Sequence, residues 1–137
     1  MDARRRNSLL ECLERLRRVL PAANLMQLLA FLYICENEGI NLAELAQVCR
    51  TTRATASRTA RALAIARLRG ALAGSVGLID MHANPNWTYG RILHLSEAGR
   101  RLAADLDAII CDACPIAIVA PPHQASANAA PSLAVAR

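Results

Sequence analysis

At 137 residues and 54% hydrophobic content the chain has room for one self-supporting core; aromatics supply only 3% and alanine much of the rest, which favours closely packed helices over a β-sandwich. All 16 basic residues are arginine and the net charge is +5; beside so much alanine this matches the bias of a GC-rich genome, so arginine identity alone carries no information about recognition. Five cysteines make an odd count that suits a reducing cytoplasm better than a disulfide scaffold, no signal-type apolar core follows Arg6, and no apolar run reaches the ~20 residues of a membrane span; the expectation is a soluble cytoplasmic protein.

Leu9, Leu13, Leu16 and Leu20, flanked by Cys12 and Val19, recur at helical spacing and predict a first helix that ends at Pro21, which cannot continue the hydrogen-bond ladder. A second helix is expected from about Asn24 to Glu38. Leu25, Leu28, Leu29, Leu32 and Cys35 mark one face, Phe31, Tyr33 and Ile34 widen it, and the helix reads as buried on most sides, with Gly39 as its stop. Asn41, with Glu44 placed to reach back, caps a short helix from Leu42 to about Cys49. After a break at Arg50 and Thr51, Thr52 caps a helix running to at least Leu63 and at most Arg69, before Gly70 and Gly74 interrupt the pattern.

Val76 to His82 is strand-like, Asn84, Pro85 and Asn86 have turn chemistry, and Gly90 to Leu95 reads as a second short strand, so a β-hairpin is predicted. Ser96 caps a last helix whose apolar stripe is Leu102, Leu106, Ile109 and Ile110, ended by Pro115. Residues 1–114 are therefore expected to form one domain. Residues 115–137, nearly free of charge and rich in Ala, Pro, Ser, Gln and Asn from Ala120 onward, are expected to be a disordered tail.

The charge is unevenly placed. From Leu45 to Ile79 there are six arginines (50, 53, 58, 61, 67 and 69) and no acid, while the rest of the chain sets ten arginines against eleven acids. A basic block on a near-neutral body is the footprint of a polyanion partner, although a solvated arginine face has the same composition. The order helix, short helix, turn, helix, hairpin, helix describes a mainly α fold with a small β-hairpin wing, a winged helix-turn-helix. In the helix after Thr52, Ala56, Ala60 and Leu63 form a narrow inward face, and Arg53, Thr55, Ser57, Arg58 and Arg61 lie on or beside the opposite one. Arginine bonds guanine edges or phosphates bidentately, and Ser and Thr meet either. Helices of this kind enter the major groove by their first residues, here Arg53 to Ser57.

The segment from Glu44 to Leu63 resembles, without a gap, the helix-turn-helix of the MarR-type regulators (multiple-antibiotic-resistance repressors). Gly77 to Asp80 resembles that family's first wing strand, and Gly90 to Arg101 its second wing strand and the start of the next helix. The similarity covers roughly Leu25 to Leu106. It implies a homodimer that binds double-stranded DNA at a pseudo-palindromic operator and represses nearby genes, with a small-molecule inducer as a further partner. By position, the DNA-binding residues implied are Thr52, Arg53, Ala54, Thr55, Ser57, Arg58 and Arg61, with Arg91 as the wing arginine at the minor groove. The dimer contacts implied lie on the terminal helices, at Leu9, Leu13, Leu16 and Leu20 and at Leu102, Leu106, Ile109 and Ile110. Three departures stand out. Arg50 occupies the usual turn glycine, so either its backbone is strained or the turn differs. About ten extra residues separate Leu63 from Gly77, a spacing similar to that of regulators carried on phages and other mobile elements. Tyr89 and Gly90 precede Arg91 where the family has an acidic partner, and Trp87 and Tyr89 sit at the predicted tip.

Cys111 and Cys114 have the spacing of half a zinc site or a redox pair, but no second such pair exists and a structural zinc wants four ligands. Cys12 invites comparison with relatives that sense hydroperoxides through a first-helix cysteine. The acids beside it, Glu11 and Glu14, do not favour a thiolate, so packing is the expected role. His82, His94 and His123 form no ligand spacing, no catalytic set is evident, and no cofactor or metal is expected. Two other readings remain at this level: a winged helix used for contacts with an acidic protein, and a cysteine-based redox-responsive regulator.

Overall fold

The computed structural model describes residues 6–64, 76–83 and 91–117. Among them are five helices, α1 (Ser8–Val19), α2 (Leu25–Glu36), α3 (Leu42–Val48), α4 (Arg53–Leu63) and α5 (Glu97–Cys111), and three strands, β1 (Ile40–Asn41), β2 (Ile79–Ala83) and β3 (Arg91–Leu95). Every helix opens on a side chain that accepts a backbone N–H of the first turn: Asn7 from Leu10, Asn24 from Gln27, Asn41 from Glu44, Thr52 from Thr55 and Ser96 from Gly99. At Asn24 and Asn41 the returning bonds from Gln27 and Glu44 complete capping boxes. The caps expected at Asn41, Thr52 and Ser96 are all present.

The helix ends differ from the sequence expectation. Helix α2 stops at Glu36, capped by Asn37, and Gly39 (φ 93°) lies in the link to β1. Helix α4, by contrast, stops at Leu63, the nearer of the two ends expected, where Ala64 turns extended. Helix α5 ends at Cys111, before Pro115. Beyond Ala64 the chain returns to where it left: the N–H groups of Val76, Gly77 and Leu78 donate to the carbonyls of Ala62, Ala64 and Leu63. Val76 to Leu78 therefore lie against the end of α4, and β2 starts beside it. Residues 65–75, the expected tip residues Trp87 and Tyr89, and most of the expected tail (118–137) lie outside the described residues.

The strands form an antiparallel sheet in the order β1-β3-β2, with Ile40 opposite Leu93 and the β2–β3 ladder running from Ile79–Leu95 to Ala83–Arg91. Alternation puts Ile79, Met81, Leu93 and Leu95 into the core and leaves Asp80, His82, Ile92 and His94 on the other face. Phe31, Ile34, Leu45, Leu63, Leu78, Ile79 and Leu93 are its fully buried large side chains. Helix α5 docks through Gly99, where a Cβ would overlap the Leu78 carbonyl oxygen. Ser96 reinforces that joint, its N–H donating to Leu78 and its hydroxyl to Gly77 (2.6 Å).

One expectation about α2 is overturned. Its buried side is Ala30, Phe31 and Ile34, whereas Leu25, Leu29 and Leu32 are exposed, at 70%, 37% and 41%. A helix apolar all round has no periodicity to say which face turns inward. The whole is mainly helical with a small antiparallel sheet, an arrangement compatible with a winged helix. No helix among the described residues is long and apolar enough to cross a membrane.

Candidate nucleic-acid interface

Helices α3 and α4 are joined by a turn that begins with Arg50 at φ 55°, a left-handed conformation rare for a residue with a side chain. The hydrogen bonds explain why the chain accepts it. Thr51 N–H donates to the Ala46 carbonyl (2.9 Å) and Arg50 N–H to that of Gln47 (3.1 Å), the paired bonds of a Schellman helix end, which needs a left-handed residue there. Of the two outcomes open for Arg50, the strained backbone is the one adopted.

Helix α4 then separates its faces. Ala56, Thr59, Ala60 and Leu63 are buried, Thr59 joining the three residues expected there. Arg53, Ala54, Thr55 and Arg58 are exposed, with Ser57 and Arg61 half-buried at the margin. Thr52, also exposed, accepts the Thr55 N–H and donates its own hydroxyl hydrogen to the Thr55 oxygen (3.1 Å for each). The pair uses one hydroxyl hydrogen and leaves the other available to an outside acceptor.

The ion pairs sharpen the contrast in charge. Among the described residues they include Arg6 and Arg17 with Glu14, Arg15 with Asp105, Arg100 and His94 with Glu38, and Arg101 with Glu97. None involves Arg50, Arg53, Arg58 or Arg61. Among the described residues five arginines of the body thus meet acids of the body, while the four on and before α4 meet none. Arg91 starts β3, half-buried, at the far end of that strand from the core residue Leu95.

The eight candidate dimer residues divide. Leu16, Leu20, Leu102 and Leu106 are consumed by the core where α1 packs on α5 within one chain. Leu9, Leu13 and Ile110 are exposed, at 54%, 42% and 57%, and Ile109 is half-buried. The α1–α5 pair is clipped by Arg15 to Asp105 (3.1 Å) and by reciprocal bonds between Ser8 and Cys114. Between α1, α2 and α5 lies an open groove of about 610 Å³, lined chiefly by Leu9, Leu13, Leu16, Leu32, Leu106 and Ile110.

Three of the five thiols are disfavoured as thiolates by their surroundings. Cys12 is buried, and desolvation, followed by the charge of Glu11, pushes its pKa up. Desolvation also raises Cys49, and with the charges of Asp107 and Glu38 takes Cys35 to about 11. Cys111 (exposed) and Cys114 (half-buried) are free thiols at the end of α5.

One residue escaped sequence reasoning altogether. Glu38, just past α2, receives Arg100 through both terminal nitrogens (2.6 and 2.8 Å), His94 Nδ1 (3.3 Å) and the Leu95 N–H (3.3 Å). Desolvation would raise its pKa, but the bonds from Arg100, His94 and Leu95 together with the Arg100 charge outweigh it and hold the carboxyl below its ordinary value. Its partners stand 56 to 62 residues away, so no local pattern points to it.

The fold is shared with a solved structure. The chain is similar to RV1404 from Mycobacterium tuberculosis, with a TM-score of 0.57 at 16% identity, over 87% of this chain and 80% of that one. No family model and no curated protein matches the sequence.

Proposed function

We propose that the protein is a sequence-specific double-stranded-DNA-binding transcriptional regulator, a dimeric repressor acting at a pseudo-palindromic operator from a winged helix-turn-helix. The observation that carries this is the outer face of α4: Arg53, Thr55 and Arg58 exposed without an acidic partner, behind a capped start and on a slim inner face of Ala56, Thr59 and Ala60. That face combines bidentate donors with a free hydroxyl donor, which suits base edges and phosphates alike. The likeness to MarR-type regulators from Glu44 to Leu63 supports the same reading. In it α4 enters the major groove, β2 and β3 form the wing, and Arg91 reaches the minor groove. The exposed Leu9, Leu13 and Ile110, which line the groove between α1, α2 and α5, are the surface given to a second copy.

Gel-shift titrations against a selected duplex test the assignment. Arg53→Ala or Arg58→Ala should weaken binding to the preferred sequence by about 1–3 kcal/mol and relax specificity, while Arg91→Ala should weaken all sequences about equally. Unchanged binding with all three replaced would remove the site. Binding to an acidic protein with no duplex preference would favour the protein-contact reading of the same arginines.

A further inference from the structure

We infer that Glu38 is a positioning residue for Arg91, holding the root of β3 so that the hairpin presents its arginine in register with α4. This role rests on the DNA-binding reading above and names the device that aligns its two contact elements.

The geometry puts one carboxylate at the meeting of three elements. Oε1 takes Arg100 from the first turn of α5, and Oε2 takes the second Arg100 nitrogen, His94 Nδ1 and the Leu95 N–H. Two of these partners belong to β3, at its core end, and Arg91 begins the same strand. From Leu95 to Arg91 the strand runs about 13 Å at ~3.3 Å per residue. A rotation of about 5° at Leu95 would therefore carry Arg91 by roughly 1 Å, enough to break a hydrogen bond whose tolerance is a few tenths of an ångström.

Other restraints on that rotation are the burial of Leu93 and Leu95 in the core, the bond from the Gly39 N–H to the Leu93 carbonyl and the pairing with β2. Strand β1 is only two residues long and reaches β3 at Leu93 and Ile92. Beyond it, among the described residues, only the Ala83–Arg91 pair of the ladder is two-stranded, an arrangement with little stability of its own. To these Glu38 adds a charged tether between the end of β3 and the body. The Arg100 pair makes the tether stiff, because a bidentate guanidinium fixes the plane of the carboxylate whose Oε2 faces β3. Glu38 itself stands at the surface just past α2, and its effect on DNA passes through Arg91.

The test is a double-mutant cycle in the full chain, with duplex affinity measured across a salt series. Glu38→Ala should weaken binding roughly tenfold and make the slope of log K against log salt shallower by about 0.9 per protomer, the signature of one fewer phosphate neutralised. Placed on Arg91→Ala, the same change should cost almost nothing more. Glu38→Gln, which keeps the shape and one acceptor, should act in the same direction with a smaller loss, and covers the case in which Glu38→Ala does not fold. Faster amide exchange confined to 91–95 and 79–83, with α4 unchanged, should accompany it. Additive losses from Glu38→Ala and Arg91→Ala, or lowered melting with affinity and salt slope intact, would overturn the inference and leave Glu38 a staple of the fold. If the wild-type protein bound no duplex, the DNA-binding reading would fail first and the inference with it.

Discussion

Replacing Arg50 with glycine should stabilise this protein, and the amount follows from its backbone. At φ 55° Arg50 occupies the left-handed region, which costs a residue with a Cβ about 1–2 kcal/mol. Glycine pays nothing there but carries about 0.5–1 kcal/mol of extra freedom in the unfolded chain. The difference leaves Arg50→Gly about 0.5–1 kcal/mol more stable, a rise in Tm of roughly 2–6 °C for a domain of this size. Arg50→Ala is the control, since it removes the same exposed side chain and keeps the strain. Thermal and urea denaturation of the three proteins at neutral pH would measure both effects. The variants should differ from each other in stability while any change in DNA affinity is the same for both, because both lack the same cation. Equal melting of the glycine and alanine variants would refute the strain argument and mean that the turn relaxes at no cost.

Three further outcomes are expected. Gly99→Ala should destabilise the fold by about 3 kcal/mol or prevent it, because its Cβ would overlap the Leu78 carbonyl oxygen and only backbone movement relieves that; wild-type melting would show that α5 is not seated this closely. The Glu38 carboxyl has a folded pKa below its ordinary 4.5, so its contribution is present above that value and is lost as pH falls through the lower folded one. Acid unfolding of Glu38→Gln should therefore depend less on pH below 4.5 than that of the wild type, and identical acid profiles would contradict this. Thiol labelling at neutral pH should modify exposed Cys111 well before Cys35, whose pKa stands at about 11; rapid labelling of Cys35 or Cys12 in the folded protein would revive the redox reading.

The parts of the fold that sequence foretold are those written within a few residues. Asn41, Thr52 and Ser96 each cap the N–H three residues on, so those helix starts could be read directly. The inner face of α4 was equally plain, from Ala56, Ala60 and Leu63 at helical spacing. Strand β1 was not legible, because two residues become a strand only by pairing with Leu93 and Ile92 half a chain away. The α1 and α5 stripes showed apolar faces but could not say which leucines meet their own chain. Leu16 and Leu102 proved to be core, while Leu9 and Leu13 face outward. The same limit misjudged Leu25, Leu29 and Leu32 on α2. Glu38 marks the furthest reach of the problem, since its role exists only once α2, β3 and α5 have come together.

Selection of the full-length protein on random duplexes tests the central claim most directly. The account predicts enrichment of an inverted repeat whose half-sites lie about one helical turn, ~34 Å, apart, with enrichment abolished by Arg53→Ala and Arg58→Ala together. A folded protein that enriches no sequence, or that enriches the same one after both arginines are removed, would contradict it.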